Sequence, residues 1–190
     1  SLMAWTELLK SAYPSDNLIP CMTEDVARLQ MIANRFSKIG SAPEMEQVDL
    51  GKLLKEVTEY MARRTSNKVE IITPLPENAI IIPLNASLFG WVIENLCKNA
   101  IDAMDGVGKI TVSVIESATR WYIDVEDTGK GIIKSKHQTI FTPGYTTKKR
   151  GWGLGLSLAR RIVEEYHSGR IFVKQSELNK GTVFRIELKK

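Results

Sequence analysis

The chain has 190 residues, 43% of them hydrophobic and 25% charged, which suits one ordinary domain or a domain of about 140 residues with a smaller appendage. No uncharged apolar run approaches the roughly 18 residues that a bilayer span needs, and no signal peptide opens the sequence, so no membrane segment is expected in these residues. A net charge of +4, from 26 basic and 22 acidic residues, is too weak and dispersed to argue for a nucleic-acid partner.

Residues 2–10 read as a short amphipathic helix, and a loop from Pro14 to Pro20 follows. A second helix is expected over about 22–39, where Met22, Val26, Leu29, Ile32, Phe36 and Ile39 form an apolar stripe at three-and-four spacing. Gly40, with Pro43 beyond it, ends that helix. Two striped helices with nothing local to pack against are expected to complete a bundle with a second copy, as a homodimer.

From Val48 the pattern changes. Asp49 is the expected N-cap of a helix carrying Leu50, Leu53, Leu54, Val57 and Met61. Strands are expected over 69–72 and 79–82, then a long helix over about 85–104, then strands around 110–115 and 121–126. A helix over about 154–166 and strands over 170–175 and 182–188 close the chain. These elements predict an α+β fold, a two-layer sandwich in which a mixed sheet of about five strands is covered on one face by three helices. It occupies 43–190, behind a helical hairpin over 1–42. Residues 127–151 have no clear period, and so long a loop inside a compact domain reads as a functional lid.

Cys21 and Cys97 fall in separate helices without metal-ligand spacing and read as buried free thiols of a reducing compartment. His137 and His167 share no motif with them or with each other, which speaks against a structural zinc.

Three stretches carry chemistry. In ENLCKNAIDAM, Asn95, Asn99 and Asp102 stand at i, i+4 and i+7, a polar helix face beside the stripe of Phe89, Ile93, Leu96, Ala100 and Ala103. Asparagine forms helices poorly, so two in register are either a solvated face or a hard-cation site, in which an amide oxygen takes one position around Mg²⁺. VEDTGKG sets Asp127 at a strand end before Gly129 and Gly131. That is a turn, or a carboxylate placed to accept the exocyclic amine of adenine and to oppose the carbonyl of guanine. In FTPGYTTKKRGWGLGL, Thr146, Thr147 and Lys148 supply hydroxyls and a mobile cation ahead of Gly151, Gly153 and Gly155. Glycines are costly at a helix start, and there they either loosen a loop or present backbone N–H groups to an anion. The spacing matches neither the Walker A loop nor the dinucleotide fingerprint.

In this order the stretches resemble the catalytic and ATP-binding domain of sensor histidine kinases, in the wider ATPase group that includes gyrase, Hsp90 and MutL. ENLCKNAIDA resembles the N box, DTGKG the G1 box, FTPGYTTK the F box, GWGLGL the G2 box, and GTVF, with Thr182, the strand that completes the adenine pocket. The resemblance covers about residues 48–190. It implies the Bergerat ATP-binding fold, with ATP between the N-box helix and a lid. Asn99 is implied as the Mg²⁺ ligand with Asn95 assisting, Asp127 as the adenine contact, and Lys148 with the glycine amides as the phosphate holders. Leu154 and Leu156 are expected to pack inward and anchor the helix behind the glycines, whereas Trp152 has no expected role. The ATP-hydrolysing relatives carry a glutamate where this chain has Asn95, and Glu94 lies about 100° round the helix from it. The resemblance therefore implies ATP held for an external nucleophile rather than for water.

Residues 1–40 resemble, more weakly, the dimerisation domain of the same family. Its phosphate-accepting histidine, in a segment like HEIKNP, has no counterpart here. His137 reads as a solvent-exposed loop residue and His167 as a helix-terminal residue favoured by the helix dipole. The chain is thus expected to begin inside the first helix of that domain, Ser1 being a cloning remnant, and to bind Mg-ATP without phosphorylating itself. The resemblance implies onward transfer to an aspartate of a response-regulator receiver domain, and a cytoplasmic place, with an inner-membrane sensor as one form of the parent. A regulatory ATP-binding scaffold and a hydrolysing ATPase are the alternatives.

Overall fold

The computed structural model describes residues 43–76, 78–148 and 151–190, with positions 8, 9, 11, 23 and 26 before them. The chain divides into two compact units, Ser1–Pro43 and Glu44–Lys190. Apart from those five positions, the hairpin expected over 1–42, with Cys21 and the dimer surface, lies outside the described residues.

The second unit opens with β1 (Glu46–Asp49). The Asp49 carboxylate accepts the backbone N–H groups of Gly51 (3.0 Å) and Lys52 (3.3 Å) and caps α1 (Leu50–Arg64), as the sequence predicts. β2 (Val69–Ile72) and β3 (Ile81–Leu84) follow. Asn85 then caps α2 (Ala86–Ala103), its Oδ1 accepting the N–H of Leu88 at 3.0 Å. β4 (Gly108–Glu116) and β5 (Arg120–Asp127) form a hairpin. The segment after β5 holds two short 3-10 turns, Lys134–Lys136 and Thr139–Phe141. α3 (Gly155–Arg161) runs on as a π-helical turn, Ile162–Tyr166, and β6 (Arg170–Glu177) and β7 (Gly181–Lys189) end the chain.

Five strands make one sheet in the order β2-β4-β5-β7-β6, with β2 parallel to β4 and every other neighbour antiparallel. This is the predicted α+β architecture. The core lies on one face of that sheet, where Ile110, Val112, Ile123, Val125, Phe184 and Ile186 join Leu50, Leu54, Phe89, Ile93 and Leu96 of the helices. Each such fully buried side chain contributes about 1.5–3 kcal/mol. On the other face Asp124, 5% exposed, accepts Arg185 Nε (2.7 Å), Arg185 Nη2 (2.8 Å) and Lys174 Nζ (2.9 Å), binding β5 to β7 and β6. Burial pushes that carboxyl up, but the hydrogen bonds from Arg185 and Lys174 outweigh it and hold it below the usual carboxylate range.

The strand expected over 79–82 is β3, shifted two residues on, and it does not join the five-stranded sheet. It pairs antiparallel with β1, Ile82 opposite Val48, in a two-stranded ribbon. Pro83 argues against a central strand, and the ribbon tolerates it because each strand there has a single ladder partner. β1 has no counterpart among the expected strands, because EQVD holds one apolar residue and no alternation. Among the described residues no helix is long and apolar enough to cross a membrane.

Candidate nucleotide site

α2 is capped at Asn85 and held by Phe89, Ile93, Leu96 and Ala100, all buried, which turns Asn95, Asn99 and Asp102 to an adjoining face. Lys148 Nζ reaches Asn99 Oδ1 at 2.9 Å and Asp102 Oδ2 at 2.5 Å, tying the segment after β5 back onto α2. Thr146 Oγ1 accepts the backbone N–H of Lys148 at 3.1 Å and shapes that turn, while Thr147 stays exposed. Exposed pairs of this kind contribute about 0–1 kcal/mol, so Lys148 orients the segment more than it stabilises the fold.

Asn95 lies deeper. Its Nδ2 is buried without a hydrogen-bond partner, an omission that costs about 1–3 kcal/mol and that a polar ligand would repair. Its Oδ1 faces Gly155, the first residue of α3, where any Cβ would strike the amide. Alanine is the better helix former by about 1 kcal/mol, and the obstacle is the end of a side chain. Gly155→Ala is therefore expected to leave the melting temperature within about 2 °C, while turning the Asn95 amide away and lowering affinity for an ATP analogue about tenfold. Thermal melts and a titration on the same sample check this.

Gly153, at φ +64°, packs against the backbone of Gly144 and Tyr145, and its carbonyl accepts the Gly144 N–H at 3.1 Å. Gly151 is exposed and has nothing near its Cβ direction but Thr146 and Lys148. Leu154 is the N-cap of α3, and no side chain caps the first N–H groups of the helix. Leu156 packs against the core, as expected, whereas Leu154 does not; the anchors are therefore Leu156 and Leu158 rather than the expected Leu154 and Leu156. Trp152 is 60% exposed, and nothing in the structure accounts for it. The expected lid is also less open than its sequence suggests, because Ile140 and Phe141 are buried. Phe141 meets Phe184 edge-on at 6.2 Å and lies under the Arg160 guanidinium at 4.8 Å.

Asp127 ends β5, 4% exposed, and its Oδ1 accepts the Gly129 N–H at 2.8 Å. Burial pushes this carboxyl above its ordinary range, against the opposing bonds from the Gly129 and Thr182 backbone. Thr182, 3% exposed, is its cross-strand partner on β7. Gly129 presses on the last turn of α2, where the Lys130 N–H donates to Ala103 O at 3.0 Å. Gly131, at φ +71°, sits against the backbone of Glu177. The sequence motifs thus meet: the Asn95–Asn99–Asp102 face, the Asp127 loop, and the Lys148 and Gly153–Gly155 segments touch one another in turn.

Ser176 was not singled out in the sequence. Its Oγ accepts the Ile132 N–H at 2.8 Å and lies 3.1 Å from Gly181 O and 2.9 Å from Thr182 Oγ1. The GTVF signature marks Thr182, but no sequence signal marks the serine six residues before it.

Both histidines differ from expectation. His137 is half-buried, its Nε2 3.0 Å from Ile132 O, rather than solvent-exposed. His167 is not a cation at a helix end. Its Nε2 accepts the Asn85 N–H (3.1 Å), so Nδ1 carries the proton donated to Ile162 O (2.8 Å), and the ring meets Phe89 edge-on at 5.5 Å. Burial keeps its pKa below the usual histidine value. A base depressed on folding stabilises the fold above its unfolded pKa of about 6.5, and that contribution is lost as pH falls below it. Melting temperature is expected to drop between pH 7.5 and 5, and His167→Ala to lower it at pH 7.5 while flattening the slope. Cys97 is buried, its thiol pushed up to about 12 by burial and by the Glu94 charge, which keeps it inert.

An α/β sandwich with its glycine-framed segments gathered over one end of a polar helix face defines a nucleotide-binding unit. The family described as Histidine kinase-, DNA gyrase B-, and HSP90-like ATPase matches residues 85–190, and the chain belongs to it. Sporulation kinase C of Bacillus subtilis (strain 168) is 28% identical over 99% of this chain and 45% of its own length. Sensor histidine kinase ZraS of Salmonella typhi is 33% identical over 92% of this chain and 38% of its own. The solved catalytic domain of histidine kinase ThkA is 30% identical, with a TM-score of 0.68 over 77% of this chain and 96% of that one. The chain therefore carries a histidine-kinase-type ATPase domain, and it spans less than half the length of the curated relatives it matches.

Proposed function

We propose that residues 43–190 are the catalytic domain of a two-component sensor histidine kinase, holding Mg-ATP for transfer of the γ-phosphoryl group to a histidine elsewhere in a longer parent. In this reading residues 1–42 are the remainder of its dimerisation hairpin, and the phosphoryl group passes on to an aspartate of a response-regulator receiver domain. Asp127 and Thr182 take the adenine edge. Thr146, Thr147, Lys148 and the amides from Gly151 to Leu156 lie along the phosphates, and Asn95, Asn99 and Asp102 along the metal.

The donor set fits a hard cation: two amide oxygens and a carboxylate stand on one helix face, and Lys148 already places a positive charge on two of them. When bound, Mg²⁺ neutralises the charge that develops on the phosphate oxygens. The protein's own work is positioning: Lys148 adds a cation from the lid side, and Asp127 with Gly129 orients the base. Transfer forms a P–N bond to imidazole as the P–O bond to ADP breaks.

The observation that carries the kinase reading over a hydrolase is the state of Glu94. The position facing Gly155 holds an amide, and the neighbouring carboxylate is engaged by Lys98 Nζ at 2.5 Å, a turn along the helix. Water is left without a base there. His167 has its Nε2 lone pair taken by the Asn85 N–H and its Nδ1 proton by Ile162 O, which leaves it no ready phosphoryl acceptor. The chain with Mg²⁺ is expected to bind a fluorescent ATP analogue saturably and to release phosphate no faster than buffer. Steady turnover, or label from γ-labelled ATP on His137 or His167, contradicts the reading.

A further inference from the structure

Strand β6 carries a register shift between Val173 and Gln175, where one residue is inserted against β7. Before it Ile171 and Val173 pair with Ile186 and Phe184, on the core face; after it the parity reverses, and Ser176 pairs with Thr182. Without the extra residue the Ser176 side chain would point to the opposite face of the sheet. The bulge therefore places Ser176, Thr182 and Asp127 in one row across β6, β7 and β5.

We propose that Ser176 is a positioning residue that sets which base the pocket accepts, an inference that rests on the ATP-site reading above. The Ser176 hydroxyl has one proton and two lone pairs. The Ile132 N–H, a donor only, takes one lone pair at 2.8 Å. Gly181 O, an acceptor only, takes the proton at 3.1 Å. The contact with Thr182 Oγ1 at 2.9 Å is then completed by the Thr182 proton, donated to Ser176. This is the one arrangement that satisfies all three contacts, and Thr182, 3% exposed, has little access to water for its proton. Thr182 consequently turns lone pairs, not its proton, toward the Asp127 side of the row. A carboxylate and a hydroxyl oxygen side by side form an edge of acceptors. Such an edge suits the two N–H groups of an exocyclic amine and repels a carbonyl, so it separates adenine from hypoxanthine at the 6-position, where one carries an amine and the other a carbonyl.

Ser176 also pins the loop that carries Asp127's other partner. Its bond to the Ile132 N–H, with the Asn179 N–H on Lys130 O at 2.9 Å, holds residues 129–132 against the β6–β7 turn.

The test uses the 190-residue chain with Mg²⁺, reading displacement of a fluorescent ATP analogue by ATP and by inosine triphosphate, together with a thermal melt. Ser176→Ala releases the Thr182 proton, which can then turn toward the base and meet a carbonyl. The preference for ATP over inosine triphosphate is expected to fall about tenfold, with inosine triphosphate binding no worse than before. Ser176→Thr, which keeps the hydroxyl, should retain the preference. Thr182→Val removes the group through which Ser176 acts, so adding Ser176→Ala to that variant should change the ratio no further. Equal losses for both nucleotides, or a ratio effect of Ser176→Ala that persists in the Thr182→Val background, overturn the proposal and leave Ser176 a purely structural residue. If the unmodified chain binds neither nucleotide, the ATP-site reading fails and this inference falls with it.

Discussion

Asp127→Asn is expected to raise the melting temperature of the nucleotide-free chain while lowering its affinity for an ATP analogue about 100-fold. The carboxyl is 4% exposed and burial holds its pKa above the ordinary range. A carboxyl whose pKa is raised on folding favours the fold below its unfolded pKa, and that contribution is lost as pH rises through the folded value. At neutral pH the buried charge is therefore a cost, and asparagine keeps the shape and an oxygen for the Gly129 N–H without it. The gain should shrink as pH is lowered into the carboxylate range, where wild type is neutral as well. For a chain of this size each kcal/mol moves the midpoint by about 2–4 °C. Binding goes the other way because a hydrogen bond to a charged acceptor contributes about 1.5–3 kcal/mol, and the asparagine amide can present a donor to a donor. A site residue that costs stability in the empty protein is what a functional group looks like when it is not there for the fold. If Asp127→Asn lowers the melting temperature and leaves binding unchanged, Asp127 is structural.

Gly129→Ala should act on folding itself. A Cβ there would lie 2.6 Å from Ala103 O and 2.9 Å from Ala103 Cβ, so backbone rather than a mobile side chain stands in the way. Either the strand end or the last turn of α2 must move, and the Lys130 N–H bond to Ala103 O, now 3.0 Å, goes with it. Overpacking of this kind costs about 3 kcal/mol, a drop of about 6–12 °C in melting temperature. Gly90 in the same helix is the control. Its Cβ would meet Val57 and Leu53 at ordinary distances of 3.4 and 3.5 Å, so Gly90→Ala should leave the midpoint unchanged or raise it by up to about 1 kcal/mol of helix propensity. Equal effects at the two positions would show that the approach of the Asp127 loop to α2 is not tight.

Much of this was legible in the sequence where local chemistry and burial agree. Asp49 and Asn85 cap as their residue types predict, and the strand over 69–72 is found at Val69–Ile72. The face of α2 that carries Asn95, Asn99 and Asp102 follows from helical period alone. What could not be read depends on contacts between distant segments. The role of His167 comes from Asn85, 82 residues away, whose N–H makes its Nε2 an acceptor. The position of Ser176 comes from a bulge, which no pattern of residue types in VKQSE announces. β1 exists because β3 needs a ladder partner, not because EQVD favours a strand. The glycines of GWGLGL divide in function: Gly153 meets the backbone at 144–145, Gly155 makes room for the Asn95 amide, and Gly151 stays open. Composition marked all three as unusual without separating them.

The most direct test of the central claim is phosphoryl transfer by the longer parent that the proposed kinase reading requires, incubated with Mg²⁺ and γ-labelled ATP. Label should appear on a histidine outside residues 43–190, stable in alkali and lost in acid, and disappear with Asp127→Asn. Free phosphate released steadily with no labelled histidine would contradict the account, because Asn95 would then stand in a site that hydrolyses ATP without the glutamate that its hydrolysing relatives carry.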